Sequence, residues 1–455
     1  FISNLSLSLA VLTRRDDESA PQFTRIKVPE KHARLIELDS PDTTDEYVLL
    51  EDVIEANLDL LLPNVEIIDV SKFRLTRNAE VGRNEEVAED LIDVIEDVVE
   101  KRRFAKVVRL EVAEEMPARS LDILTEQLDI GPDEIYHRSG PIDYEDFFEL
   151  VDIDRPDLKL PAWSPQPHPR LGTDEPMNAA DQSTAIFEEI KNDDILVHHP
   201  YHSFEDTVQR FLETAAGDPD VLAIKVAIYR TASDSKVIQS LIEAAENGKE
   251  VAVMVELKAR FDEQNNLEWV RRLEQEGIHV AYGSLGLKTH TKTALVVREE
   301  ADGVRTYSHV GTGNYNSETA KGYEDLGMLT ADRDIGQDLV KLFNFFTGPT
   351  LDEEFRKLLV APVTMRKQFT DLIRREAAIA DNGGDGRIIA KVNGLEDPDI
   401  VAELYRASMA GVEIDLIVRD ICRLRPGIDG LSDTITVHSV VGRFLEHSRI
   451  YYFGN

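Results

Sequence analysis

The chain has 455 residues, with 87 Asp and Glu against 51 Lys and Arg, a formal charge of −36, and 42% apolar content. That length and apolar content allow several domains with sizeable cores and set aside disorder as the organising state. The charge argues against a general nucleic-acid binder, which needs a basic footprint, and the single cysteine, Cys422, excludes an internal disulfide and fits a reducing cytoplasm.

The first stretch, FISNLSLSLAVLTRR, has its basic pair after the apolar run, the reverse of a secretory signal. No apolar run approaches membrane-spanning length. The chain starts at Phe rather than Met, which reads as a piece of a longer protein. Acid is spread along it, as in DDESAPQ, RNEEVAEDLIDVIEDVVE and GLEDPD. An evenly acidic, self-repelling surface suits a high-salt cytoplasm, where screening tolerates the repulsion. An ordinary acidic protein is the plain alternative.

Residues 1 to about 150 mix short strands with acidic helices. Val87, Leu91, Val94, Ile95 and Val98 fall on one stripe of a helix expected over 85–103, and KVVRLEV (106–112) follows as a strand. RPDLKLPAWSPQPHPRLGTDEP (155–176) is rich in Pro, without periodicity, and reads as a linker.

Regular α/β patterning starts near residue 177. Ser203 is an expected N-cap, with Asp206 completing a capping-box variant, and Phe204, Val208, Phe211, Leu212 and Ala215 form the buried stripe of the helix. VLAIKVAIYR (221–230), a helix carrying Val237, Ile238, Leu241, Ile242 and Ala245, and VAVMVEL (251–257) make a βαβ unit with parallel strands. Residues 388–423 restate 221–260, with Gly248 and Gly411 at the same helix end. Two similar α/β halves facing a shared cleft are expected, each offering one triplet: H-x-K at His290 and Lys292, H-x-R at His447 and Arg449.

Lys288, His290 and Lys292 alternate along a segment that reads as a strand, so all three are expected on one face. Flanking cations disfavour the imidazolium and leave the nucleophilic neutral form. They also attract phosphate and offset the charge of a transferring phosphoryl group. A half-exposed strand histidine among solubilising lysines is the plain alternative. In GTGNYN, Gly311 and Gly313 allow a tight turn whose N–H groups face an anion, and Asn314 and Asn316 can bond phosphate or hold the histidine. His309 reads as structural. Arg230, Arg260 and Arg419 end strands, where they are placed to grip phosphate; surface ion pairs are the alternative. HHPYHSFED (198–206) fits no common zinc spacing and reads as a turn and helix start.

DILVHHPYHSFEDTVQRF, DPDVLAIKVAIYRT, VELKARFDEQNN, GLKTHTK, GTGNYNSETAKGYEDLGMLT, VRDICRLRPGI and LEHSRIYYF together resemble the polyphosphate kinases of the type related to phospholipase D. The likeness runs over nearly the whole chain. It implies an α/β fold of two phospholipase D-like halves (166–357 and 358–455, the second truncated) behind an α+β head domain (1–165) that forms homo-oligomers. It implies reversible transfer of the ATP γ-phosphate to the end of inorganic polyphosphate, with ADP as product, through a phosphohistidine on His290. Lys292 is expected beside that nucleophile, and His447 matches a second, assisting histidine. Tyr323 and Arg419 match nucleotide contacts, and Asn314 is expected near them. Arg230 and Arg260 match positions assigned to magnesium. An arginine has no lone pair for a metal, so they are expected to hold the phosphates that carry Mg²⁺. The family has a small domain ahead of the head and a segment after the YYF text that this chain lacks.

Two rivals stand beside this reading. A phospholipase D-like phosphodiesterase or nuclease wants Asp five residues after the lysine, where this chain has Val297, and a lysine where it has Arg449. A non-catalytic polyanion binder would be free to lose His290, Lys292 and His447.

Overall fold

The computed structural model describes residues 2–15, 20–38, 45–78, 101–102, 104–171, 179–229, 235–257, 263–283, 287–347 and 354–454. The chain forms two compact units, Phe1–Ala162 and Trp163–Asn455.

In the first unit, Leu7–Arg14 is buried along all but its last residue. A strand apolar on both faces belongs in the middle of a sheet. It lies between Gln22–Lys27 and Glu66–Arg77, antiparallel to both. Val107–Ala113 and Ile135–Arg138 complete five strands. Ala10, Phe73, Leu75 and Leu110 pack with Leu124 of the helix Ala118–Leu128, while Leu9 and Val11 pack with Leu58 on the other face. Arg34, 3% exposed, is tied to the buried Glu51 at 2.7 Å and to the carbonyls of Ile142 and Asp143. The stripe expected over 85–103 lies outside the described residues.

In the second unit, Phe204, Val208, Phe211, Leu212 and Ala215 are all buried, as their spacing predicts. Ser203 Oγ accepts the Asp206 N–H at 3.0 Å. The box is one-sided, because the Ser203 N–H donates instead to Gln166 O at 2.8 Å. The first turn is a π-turn over Glu205–Gln209, and the α-helix runs Arg210–Gly217.

An eight-stranded sheet follows. Val221–Ile228 pairs in parallel with Glu250–Val255, which pairs in parallel with His279–Tyr282. The other neighbour of Val221–Ile228 is the antiparallel strand Lys292–Glu300. Gly303–Gly311 and Tyr323–Thr330 continue the sheet antiparallel. Ile195–His199 and the short Leu445–Glu446 both pair with Tyr323–Thr330.

The internal repeat is present and larger than its sequence signal. Arg387–Val392, Glu413–Val418 and Ile435–His438 are parallel, and Ile450–Phe453 is antiparallel to the first of them. This repeats the Val221–Ile228, Glu250–Val255, His279–Tyr282 and Lys292–Glu300 arrangement strand for strand. Gly248 (φ 81°) and Gly411 (φ 96°) both end the intervening helices in the left-handed region. The sheets are mixed: their βαβ parts are parallel, as is the short pairing of Leu445–Glu446 with Tyr323–Thr330.

Candidate functional site

Strand order gathers the chemistry at one end of the large sheet. Ala294 stands opposite Val226, so the start of Lys292–Glu300 lies beside the end of Val221–Ile228. Lys292 pairs with Gly311, Gly311 with Gly327, and Tyr323 with Leu445. His290, Lys292, the GTGNYN loop, Tyr323 and His447 therefore share one edge. From the Lys292 strand to the Leu445 strand is three strand spacings, about 14 Å.

His290 does not sit on a strand. Residues 287–291 have no regular structure, and the strand begins at Lys292. The expected row of three side chains on one face is replaced by exposed Lys288 and His290 and a buried Lys292, 3% exposed. The reason is that side chains take the ladder groups. The Thr289 N–H donates to Glu256 Oε2 at 2.6 Å, and Lys292 Nζ donates to His290 O at 2.6 Å. The buried ammonium also lies 4.8 Å from the Tyr229 ring centroid, a cation–π contact that helps offset its desolvation. Tyr229 meets the His290 ring edge-on at 5.0 Å.

His447 is held from several sides. Its Nδ1 lies 2.7 Å from Asp325 Oδ1. That oxygen also accepts Thr312 Oγ1 at 2.6 Å. An Nδ1–H directed at a carboxylate fixes the tautomer and leaves Nε2 as the ring nitrogen for chemistry. The Tyr323 ring lies 5.2 Å from the His447 ring. Arg419 Nη1 donates to Glu446 O at 2.9 Å, next to the histidine. The Asn393 amide, in its better orientation, donates to His447 O at 3.2 Å and accepts from Arg449 Nη2 at 2.9 Å. The histidine of H-x-R, like that of H-x-K, precedes its strand: Ile450–Phe453 begins after Arg449, as Lys292–Glu300 begins after His290.

The GTGNYN loop is built differently from the anion turn expected of it. Gly311 and Gly313 are not left-handed. They are small because a Cβ at Gly311 would come within 2.8 Å of the His309 ring, and one at Gly313 within 2.8 Å of the Asp325 carboxylate. Asn316 Oδ1 accepts the N–H groups of Glu318 and Thr319, both at 3.0 Å, so it caps the next turn and does not hold the histidine. Asn314 Oδ1 is buried without a hydrogen-bond partner. His309 is structural, as read: it is buried, bonded to Tyr315 Oη at 2.8 Å, and burial pushes its pKa down to about 3. HHPYHSF is a turn stitched by His198 N–H to His202 Nδ1 at 3.0 Å. Among the described residues no group of three or more His, Cys, Asp or Glu is arranged to hold a metal. Arg230 and Arg260 lie outside the described residues.

Asp325, Thr312, Tyr229 and Glu256 were not singled out from sequence. Asp325 carried one signal: it stands two residues after Tyr323, and the period of a strand puts both on one face.

Three family models match the chain in succession. The polyphosphate kinase middle domain covers residues 1–150, C-terminal domain 1 covers 185–352 and C-terminal domain 2 covers 358–455. A polyphosphate kinase from Mycolicibacterium gilvum is 47% identical over 457 residues, taking in all of this chain and 62% of the relative. One from Thermosynechococcus vestitus is 48% identical over 479 residues, all of this chain and 65% of that one. The crystal structure of polyphosphate kinase from Porphyromonas gingivalis superposes with a TM-score of 0.79 at 34% identity, over all of this chain and 65% of that one. The α/β architecture is that of this structure. The chain belongs to the polyphosphate kinase family, and spans 62% and 65% of the lengths of these two curated relatives. No helix among the described residues is long and apolar enough to cross a membrane.

Proposed function

We propose that the chain is the head and phosphotransfer part of an enzyme that moves the γ-phosphate of ATP reversibly onto the end of inorganic polyphosphate. In the forward step a ring nitrogen of His290 attacks the γ-phosphorus, the bond to the β,γ-bridging oxygen breaks, and ADP leaves. A terminal oxygen of polyphosphate then attacks the phosphohistidine phosphorus and frees His290. The observation that carries the reading is the shared sheet edge: His290 beside a buried Lys292, and across it a His447 fixed by Asp325.

Lys292 keeps a positive charge next to the attacking group, where charge develops on the transferring phosphoryl. His447, with Nδ1 held by Asp325, is suited through Nε2 to holding a proton or bonding a phosphate oxygen near the leaving group. Tyr323 and Arg419 flank it as nucleotide contacts, with Asn314 in the GTGNYN loop. Magnesium, when bound, shields phosphate charge. With no carboxylate cluster to cage it among the described residues, the ion would ride on the nucleotide phosphates, which Arg230 and Arg260 would grip. We assign 1–165 to an oligomerising head and 166–357 and 358–455 to the two catalytic halves, in a cytoplasmic enzyme.

The test is acid-labile, base-stable labelling of the full-length parent by γ-labelled ATP with Mg²⁺. Label on the parent and none on His290→Ala is the expected result. An unlabelled, folded parent would sink the mechanism.

A further inference from the structure

The His290 loop raises a question of its own. An exposed nucleophile on irregular backbone has no ladder to hold it, yet in-line attack needs it placed closely. Displacement of about 1 Å costs about a hundredfold in rate.

We infer that Glu256 is a positioning residue for His290, an inference that rests on His290 being the nucleophile. Glu256 follows the Glu250–Val255 strand and is 1% exposed. Its Oε2 accepts the Thr289 N–H, one residue before His290, at 2.6 Å. Lys292 grips the carbonyl just after it, also at 2.6 Å. The two charged side chains thus clamp the His290 backbone from both sides.

The base of the clamp is fixed in turn. Asn266, 1% exposed, donates through Nδ2 to Glu256 O at 2.9 Å and to Tyr229 O at 3.2 Å. It staples together the ends of the two parallel strands, and Tyr229 is the residue whose ring meets His290. Gly283 leaves the space that the carboxylate fills, since a Cβ there would lie 3.1 Å from Oε2.

A carboxylate is a costly acceptor to bury, and a strand partner would serve the Thr289 N–H without that cost. What it adds is a short, charge-assisted bond that holds one geometry. Glu256 bears on the reaction through the Thr289 N–H and the backbone that carries His290. Its loss should slow phosphoryl transfer and leave nucleotide affinity alone.

The experiment follows the initial rate of phosphoprotein formation across ATP concentrations in the full-length parent, with His290→Ala, Glu256→Gln and Glu256→Ala, and a thermal melt of each. Glu256→Ala should label about a hundredfold more slowly at saturation. Glu256→Gln keeps an oxygen acceptor without the charge, and should recover about tenfold of that loss. Half-saturating ATP should stay within about twofold in both. Parent-like labelling by either variant overturns the inference, as does a loss that appears only in half-saturation or only in proportion to unfolded protein. If Glu256→Ala does not fold, the isosteric Glu256→Gln decides alone by the same two readings. Persistent label on His290→Ala would instead remove the nucleophile assignment on which the inference stands.

Discussion

At the scale of single residues, partners decide roles. His290 lies just before a sheet strand and His309 near the end of one, yet one is exposed and the other 3% exposed with Tyr315 on its Nδ1. Burial holds His309 neutral, with a folded pKa of about 3 against about 6.5 when unfolded. Between those values the unfolded chain binds a proton and the folded chain does not. The contribution is therefore complete above about pH 6.5 and is lost as pH falls toward 3. Urea unfolding should lose on the order of 2 kcal/mol from this group between pH 7.5 and 5. His199, also shifted down by burial, adds in the same direction. Tryptophan fluorescence reads the second unit, because Trp163 and Trp269 both belong to it. His309→Gln should flatten the slope; an unchanged slope refutes the assignment. Asp325 has the opposite character, since it acts on a histidine at the site. Asp325→Asn should slow turnover about a hundredfold with a smaller change in half-saturating ATP, because His447 loses its fixed tautomer. A parent-like rate would reduce the pair to scaffolding. Their pairing was not legible locally, because Asp325 and His447 are 122 residues apart.

At the scale of elements, much was legible. The stripe on the helix after Ser203, the βαβ spacing and the repeated helix ends all follow from period and from turn chemistry. Gly411 shows why. Its φ of 96° excludes most side chains although nothing lies within 4 Å of a would-be Cβ. Gly411→Ala should cost about 1–2 kcal/mol of stability, read in the same unfolding assay, and leave labelling per folded molecule unchanged. Gly313 is the contrasting case. Its backbone is ordinary but a Cβ would strike Asp325 at 2.8 Å, so Gly313→Ala should lower labelling more than it lowers the melting temperature. What failed at this scale was the strand through Lys288, His290 and Lys292. Alternation alone cannot tell a ladder from a loop when side chains such as Glu256 and Lys292 capture the backbone groups.

At the scale of the whole molecule, charge dominates. A formal −36 spread over the surface repels itself. Raising ionic strength from 0.1 to 1 M shortens the screening length from about 10 to about 3 Å, so the melting temperature should rise across that range of KCl. A flat or falling curve would return the chain to the ordinary acidic class. Charge patterning was legible at once, because it needs no folding to be counted. So were the helix stripes, the Gly-marked helix ends, the internal repeat and the two histidine triplets, because each is a local pattern that a period or a spacing reveals. Tertiary structure alone decided that Glu256 would reach Thr289 and that His447 would meet Asp325. Those pairs depend on which strand ends share a sheet edge, and strand order is set by how the buried faces pack, which no local pattern encodes.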